Sequence, residues 1–583
     1  MLKECIEVFE HQMIENDGRL VLDSHIPADG TYLVVGEDGT VIKGDILKNK
    51  KTKELETTIL PSTLNKIKAF DYYSLLVSMN KPVDSKKIVH SNNYLSFAVK
   101  KDSIKSGKLT NETIDNYFDT LADPLKTKYS KSKEASQIYQ EFEDTEGNPD
   151  IEKIECNRKW IKDHIFSLEG VNLDQKDYLK IYFEADIKEY ERESERYLLP
   201  NIYNSNDYNV KIQEKIYGIP DNNLGMNAKK PFLSIKTRKN PASYLLDREE
   251  VILQKQFFDY LMNLVSGGNY HVYFDTINNE IEADGDENEN SLIETGYYLR
   301  LAKGKNEAEI LEQDNISDYS QKLKKPFIFE NILQIDSEIS KEKYFKYGSY
   351  YNRLKIWELI DDVLFSKCLG TAGMYDKSSI KAKDEKLRQN ILMSKRNLEN
   401  WIFKGIDSGI NNTIQKAAFN AIKISVLNEY IERALYQFNL MWSFREYFSD
   451  EGESDMGEII SELKTKVEDK VNADHVIPIE SDDEYYFCVG QLARYLISLS
   501  RAKDKAHSLL NPILNAKKDE VLKEKLLRIY KKYSYAISNK YKCSEKLLAM
   551  ILGYKTDKKV DQEKLILGYV CDNIVYAKKN KDI

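Results

Sequence analysis

The chain has 583 residues, 41% hydrophobic, 31% charged and 11% aromatic, with a net charge of −9. That length supports about two to four domains, and the apolar and aromatic share excludes disorder over most of the chain. No apolar run reaches the roughly 20 residues that a membrane-spanning helix needs, and the start, Met1-Leu-Lys-Glu-Cys-Ile-Glu, has no apolar signal core. Six cysteines, at 5, 156, 368, 488, 543 and 571, form no CxxC pair, so the expectation is free thiols in a reducing cytoplasm and no zinc ribbon.

In chain order the first element is a short helix over 2–16, where Leu2, Ile6, Phe9 and Met13 recur at helical spacing. Thr31-Tyr-Leu-Val-Val, a Gly36-Glu-Asp-Gly39 turn and Thr40-Val-Ile predict a β-hairpin. Tyr94–Val99 reads as a strand, and more β material lies around Tyr270–Phe274 and Tyr297–Leu301. Between Thr127 and Pro200 the pattern is polar, rich in Lys, Glu and Tyr, and mostly helical. From about Tyr350 helices dominate, with long candidates over Ile356–Leu369, Arg396–Ile410 and Thr413–Phe448. Ser449–Asp455 is an acidic, polar break that reads as a linker, and 457–577 reads as all-helical. The expected fold class is α+β. A mixed α/β N-terminal domain over 1–350 is followed by a helical connecting region over 351–450 and a C-terminal helical bundle over 456–583.

Charge is unevenly distributed. From Ser481 to Ile583 there are 21 Lys and Arg against 13 Asp and Glu, so this end carries +8 and the preceding residues −17. A basic end on an acidic body points to a localised polyanion contact. At 100° per residue Arg494, Arg501 and Lys505 fall near one line of a helix, opposite Val489, Leu492, Leu496 and Leu499. A second helix repeats the scheme, with Leu522, Leu526, Ile529 and Tyr533 as its apolar stripe and Lys517, Lys518, Lys525, Arg528 and Lys532 along one flank. These cations suit a phosphate backbone, and they equally suit an ordinary solvated face.

Motifs for chemistry are missing. There is no G-x-x-x-x-G-K-[ST], since Ser106-Gly107-Lys108-Leu109 lacks the upstream glycine and the hydroxyl after lysine. The seven histidines, at 11, 25, 90, 164, 271, 475 and 507, form no HExxH or HxH, and no His–Asp dyad is expected among them. Asp284-Gly-Asp-Glu-Asn-Glu-Asn290 places its glycine wrongly for a calcium loop. No catalytic residue, metal ligand or cofactor site is expected.

One segment stands apart. Asp221-Asn-Asn-Leu-Gly-Met-Asn-Ala-Lys-Lys-Pro-Phe-Leu-Ser-Ile-Lys-Thr-Arg-Lys239 follows a Gly-Ile-Pro turn, and from Met226 to Asn240 it holds five cations and no acid. Asparagine presents a paired donor and acceptor that can read a base edge, while lysine and arginine hold phosphate. Asn222, Asn223, Asn227, Lys229 and Lys230 are therefore candidates for base reading or strand opening, and Lys236, Arg238 and Lys239 for phosphate contact. The alternative is a plain turn leading into a strand with exposed lysines. A second polar loop, Lys86–Asn93, adds Asn92 and Asn93 to the candidates, or else uses them only to cap and turn the chain.

Several segments together resemble one family, the large subunit of the type I-B CRISPR Cascade surveillance complex. They are Met1-Leu-Lys-Glu, Ile26-Pro-Ala-Asp-Gly-Thr-Tyr32, Asp71-Tyr-Tyr-Ser, Met79-Asn-Lys-Pro82 and His90-Ser-Asn-Asn-Tyr-Leu-Ser-Phe97. Asn227–Arg238, Phe257-Phe-Asp, Phe487-Cys-Val-Gly-Gln-Leu-Ala-Arg-Tyr-Leu, His507 and Leu567-Gly-Tyr-Val-Cys-Asp-Asn-Ile-Val-Tyr576 complete the series. The likeness runs in order along nearly the whole chain and is weakest over 100–200 and 275–345. Some relatives carry a cysteine-rich zinc site, which this chain lacks.

The resemblance implies a non-catalytic subunit near the 5′ handle of a guide RNA. It would recognise the protospacer-adjacent motif in double-stranded target DNA, help R-loop formation, contact the backbone and small subunits and present the target to a helicase-nuclease. It also implies that the C-terminal bundle is small-subunit-like, with Met456 as a candidate internal start. Base pairing with the guide would supply most of the specificity, leaving the protein a short duplex readout and a backbone grip. For that grip the expected residues are Arg494, Arg501, Lys505, Lys525 and Arg528. Two rival readings are an assembly scaffold with no direct nucleic-acid contact and a metal-dependent nuclease built from scattered carboxylates.

Overall fold

The computed structural model describes residues 2–49, 54–204, 206, 209–213, 215–221, 245–283, 292–304, 307–335, 346–369, 380–449, 456–500, 509–537 and 542–576. The chain has the α+β fold expected, and it divides into two units. One holds Met1–Glu287 and Ile293–Ser317, the other Asn288–Leu292 and Asp318–Ile583. The second unit thus holds residues 351–450 together with the C-terminal helices.

The first unit is built on a five-stranded sheet. Its strands are β1 (Gly30–Val35), β2 (Val41–Lys48), β3 (Leu55–Thr57), β4 (Ser96–Lys100) and β5 (Tyr178–Phe183), in the order β3-β2-β1-β5-β4. The expected hairpin is present as β1 and β2. β1 pairs in parallel with β5 and is buried along its whole length, as its Val-, Leu- and Tyr-rich sequence requires of a central strand. The expected strand at 94–99 forms as β4, antiparallel to β5.

Among the described residues the helices that accompany the sheet are α1 (Leu2–Glu15), α2 (Arg19–Ser24), α3 (Pro61–Tyr72), α4 (Lys101–Lys105), α5 (Asn111–Ala122), α6 (Lys133–Glu146), α7 (Ile151–His164), α8 (Ile187–Leu198) and α9 (Arg248–Gly267). Side chains fix several of their starts. Thr110, Ser132, Asp150 and Asp186 accept backbone N–H groups at the openings of α5, α6, α7 and α8. Asp247 and Glu250 form a reciprocal capping box on α9. A small hairpin, β6 (Val210–Ile212) with β7 (Lys215–Tyr217), precedes α9. After α9 come β8 (His271–Asp275), β9 (Glu280–Ala283), β10 (Ile293–Lys303) and β11 (Ala308–Tyr319), a second sheet ordered β11-β10-β8-β9. One apolar cluster, from Cys5 to Ala308, underlies both sheets.

A charged group lies inside this unit. Asp71, at the end of α3, accepts from His25 Nε2 at 2.9 Å, from Tyr182 OH at 2.6 Å and from Lys180 Nζ. His25, Asp71 and Lys180 are all buried. This His25–Asp71 pair corrects the expectation of no dyad, because residues 46 positions apart meet only through the fold. Burial pushes the Asp71 carboxyl up, but the Lys180 charge and the hydrogen bonds from His25 and Lys180 outweigh it and hold the group well below the usual carboxylate range.

The second unit starts with β12 (Lys322–Phe329) and β13 (Gly348–Asn352), an antiparallel pair. Its helices are α10 (Arg353–Phe365), α11 (Glu385–Lys404), α12 (Ile410–Leu427), α13 (Ile431–Tyr447), α14 (Met456–Asn472), α15 (Asp482–Ser498), α16 (Asn511–Leu514), α17 (Asp519–Tyr533), α18 (Cys543–Gly553) and α19 (Gln562–Val570). The single helix expected over 413–448 is two, α12 and α13, packed as a hairpin. Asn428-Glu429-Tyr430 turns the chain between them, with Glu429 at φ 66°. The candidate over 396–410 is the second half of α11, which Asp384 caps and Gly405 ends in the left-handed conformation.

α15 is the central helix of the C-terminal part, buried from Glu484 to Ile497 except at Arg494. It crosses α19 on two glycines. A Cβ on Gly490 would lie 2.1 Å from Leu565 O, and one on Gly568 would lie 2.2 Å from Phe487 O. Gln491 locks the crossing: its Nε2 donates to Gly568 O at 2.7 Å, and its Oε1 accepts from Ile574 N at 2.8 Å.

Either Gly490→Ala or Gly568→Ala should destabilise the second unit by roughly 2–3 kcal/mol, because the clash is with backbone that cannot yield. Equilibrium urea unfolding of the full chain reads the loss, and an unchanged midpoint would contradict the close crossing. In the first unit, Asp71→Asn leaves Lys180 buried without its counter-charge and should cost roughly 3–5 kcal/mol near neutral pH. An aspartate with a depressed folded-state pKa stabilises above its unfolded value, about 3.9, and loses that contribution as pH falls through the folded value. Urea unfolding of both proteins across that range should therefore show the gap between them narrowing on the acid side.

Candidate nucleic-acid interface

The cation-rich helix of the C-terminal part forms as α17, and its apolar stripe, Leu522, Leu526, Ile529 and Tyr533, is buried as the periodicity predicts. Lys525, Arg528 and Lys532, spaced by three and four residues, share one flank of the helix. Arg528 and Lys532 are exposed and make no ion pair with the described residues. Lys525 is half-buried, 3.5 Å from Glu524. Lys517, Lys518 and Lys531 are exposed on or beside the same helix. The result is a surface ridge of cations held by a buried stripe, which can follow a phosphate backbone without reading bases.

Arg494 does not join that ridge. Its Nη1 donates to Tyr569 O at 3.2 Å, to Val570 O at 2.7 Å and to Cys571 O, closing the C-terminus of α19. A cation at that position satisfies the orphan carbonyls and complements the helix dipole. Where a phosphate contact is expected, the half-buried guanidinium is taken up by protein carbonyls, because the rest of α15 is covered. α15 ends at Ser498, short of the other two residues of the expected line. Arg501 and Lys505 lie outside the described residues, as does the His507 of the resemblance.

The N-terminal candidates Asn92 and Asn93 lie inside the first unit. Asn92 is 2% exposed and Asn93 0%. Asn93 Nδ2 donates to Tyr190 O at 2.9 Å, and its Oδ1 accepts from Leu95 N at 3.0 Å. The Asn93 amide thus holds backbone, whereas Asn92 Oδ1 is buried with no hydrogen-bond partner among the described residues, and Asn92 lines a small cavity with Tyr73 and Leu198.

Asn222, Asn223, Asn227, Lys229, Lys230, Lys236, Arg238 and Lys239 lie outside the described residues, and so does the 284–290 loop. The two ends of the 222–244 segment are described, and both are anchored. Asp221 is buried, with Oδ2 2.9 Å from Lys81 Nζ. Lys81 also donates to Asn201 O at 2.7 Å and Tyr203 O at 3.1 Å. On the return side, Gly218 and Leu246 exchange both backbone hydrogen bonds at 2.9 Å. A Cβ on Gly218 would meet the Tyr203 ring at 2.3 Å, so only glycine fits between the two ends. Lys128 sits beside this anchor, donating to Pro82 O, and burial together with the Lys81 charge pushes its pKa down to about 8.

Lys81 was missed as an anchor by sequence reasoning, although Met79-Asn-Lys-Pro82 is one of the segments in the family resemblance. The signal available was a lysine between a turn-forming asparagine and a proline, which does not reveal a partner 140 residues away. Among the described residues no group of three or more His, Cys, Asp or Glu is placed to hold a metal ion, and no helix is long and apolar enough to cross a membrane. Compared with protein-family models, with curated proteins and with solved structures, the chain matches none.

Arg494→Ala should lower the stability of the second unit by roughly 1.5–3 kcal/mol, the range for a hydrogen bond to a charged group. Duplex affinity of the folded variant should be unchanged. A normal unfolding midpoint combined with weaker binding would return Arg494 to the interface.

Proposed function

We propose that this chain is a non-catalytic subunit that grips nucleic acid within a larger ribonucleoprotein, in the manner of the type I-B Cascade large subunit that its ordered segments resemble. The observation that carries the reading is the α17 ridge, where Arg528 and Lys532 are exposed cations without carboxylate partners among the described residues. In this reading the ridge follows the phosphates of a target strand, and the 222–244 segment, anchored at Asp221 and Leu246, supplies the short duplex readout of the adjacent motif. The proposed partners are a guide RNA, double-stranded DNA, backbone and small subunits and a helicase-nuclease. The acidic remainder of the chain suits protein contacts better than a continuous polyanion path.

Duplex binding by the full chain, measured across salt concentrations, tests the grip. Each phosphate contact contributes about 0.9 to the slope of log affinity against log salt. Arg528→Gln and Lys532→Gln together should flatten that slope by up to about 1.8 with little change in stability. An unaltered slope in the folded double variant would favour the assembly scaffold.

A further inference from the structure

A cavity of about 320 Å³ opens in the second unit where α11 and α12 meet α16 and α19. Its polar lining is unusual in composition. Six amide side chains and two lysines face it, and no carboxylate of the described residues does. Elsewhere in this acidic chain lysines commonly pair with Asp or Glu, so an acid-free concavity is a departure from the local rule.

Lys423 is the central cation. Its Nζ donates to Gln562 Oε1 at 3.0 Å and stands 4.3 Å from the centroid of the Phe419 ring. No carboxylate of the described residues neutralises it, and burial pushes its pKa below the usual lysine value. A half-buried ammonium with only an amide and a ring for company is incompletely compensated. Lys386, on α11, is an exposed second cation at the same cavity, also without an acid partner among the described residues.

The amides are held in two ways. Asn390 is buried and fixed, donating to Ala417 O at 2.8 Å and accepting from Asn420 Nδ2 at 3.3 Å through its own Oδ1. That contact orients Asn420 and leaves its carbonyl oxygen uncommitted. Gln389 and Asn515, at the same cavity, make no side-chain hydrogen bond with the described residues. Amides offer paired donors and acceptors to a heterocycle edge, lysines take an oxyanion, and Met393 at the rim is a 79% exposed thioether that can lie against a planar ring. The volume also falls in the range of small-ligand sites, about 300–1,000 Å³.

From this geometry we infer that the cavity binds a phosphate-bearing nucleotide, with Lys423 and Lys386 on the phosphate and Asn420 and Gln389 on the base edge. The same chemistry is offered by a free mononucleotide and by the 5′-phosphorylated end of a strand. The inference uses none of the residues of the α17 ridge and stands whether or not that ridge grips DNA.

Isothermal titration of the full chain with inorganic phosphate, with each of the four 5′-mononucleotides and with a 5′-phosphorylated dinucleotide tests it. At least one nucleotide ligand should bind one per chain and more tightly than inorganic phosphate. Lys423→Gln and Asn420→Ala should each weaken it about tenfold or more. Lys386→Gln, at an exposed position that the fold does not need, should weaken it as well and guards against a variant that merely misfolds. Tighter binding of the dinucleotide assigns the site to a strand end, and tighter binding of a mononucleotide assigns it to a free nucleotide. Absence of nucleotide binding at millimolar concentration, equal affinity for inorganic phosphate, or full binding by the folded variants would each overturn the assignment.

Discussion

Two glycines facing each other across a helix pair set the geometry of the second unit. With Gly490 and Gly568 in place, α15 and α19 approach until backbone meets backbone, and Gln491 and Arg494 then reach the carbonyls and amides that the close approach exposes. α19 is fixed at its other end as well, where Glu563 accepts from Arg445 and from Trp442 Nε1. A helix held at both ends is a rigid strut. Gln562 on that strut lines the amide cavity, and α17, which carries the cation ridge, packs on α15. Both candidate binding features therefore depend on an interface with no chemical role of its own.

How much of this was legible in the sequence depends on whether the cause was local. The α17 stripe was readable because Leu522, Leu526, Ile529 and Tyr533 repeat at the helical period and one side of that helix really is solvent. The same arithmetic misled at Arg494, because periodicity reports one apolar face and cannot show that the other face of α15 is covered too. The β1–β2 hairpin was legible from its glycine turn. By contrast β11, Ala308–Tyr319, carries too many acids and amides to announce a strand. Helix breaks without proline or glycine, such as Asn428–Tyr430 between α12 and α13, were invisible for the same reason.

The segments that suggested a family deserve a physical reading of their own. Asp71, Lys81, Asn93, Gln491 and Gly568 all belong to those segments, and all are occupied inside the protein. Short polar stretches of this kind are distinctive because a buried carboxylate, amide or ammonium tolerates few substitutions once its partners are fixed. They mark architecture. Cations on an open surface, such as Arg528 and Lys532, leave a weaker trace, since a neighbouring lysine can often present the same charge.

The anchored ends of the 222–244 segment have a consequence for how such a protein can change. Gly218 and Leu246 are bonded to one another, and Asp221 is tied down by Lys81, so the chain is held at a fixed point on either side of the intervening residues. Closing a longer or shorter insert between fixed ends costs little extra, since the entropy of closure grows only with the logarithm of length. The held ends accordingly set a fixed span that inserts of differing length and composition can close at similar cost.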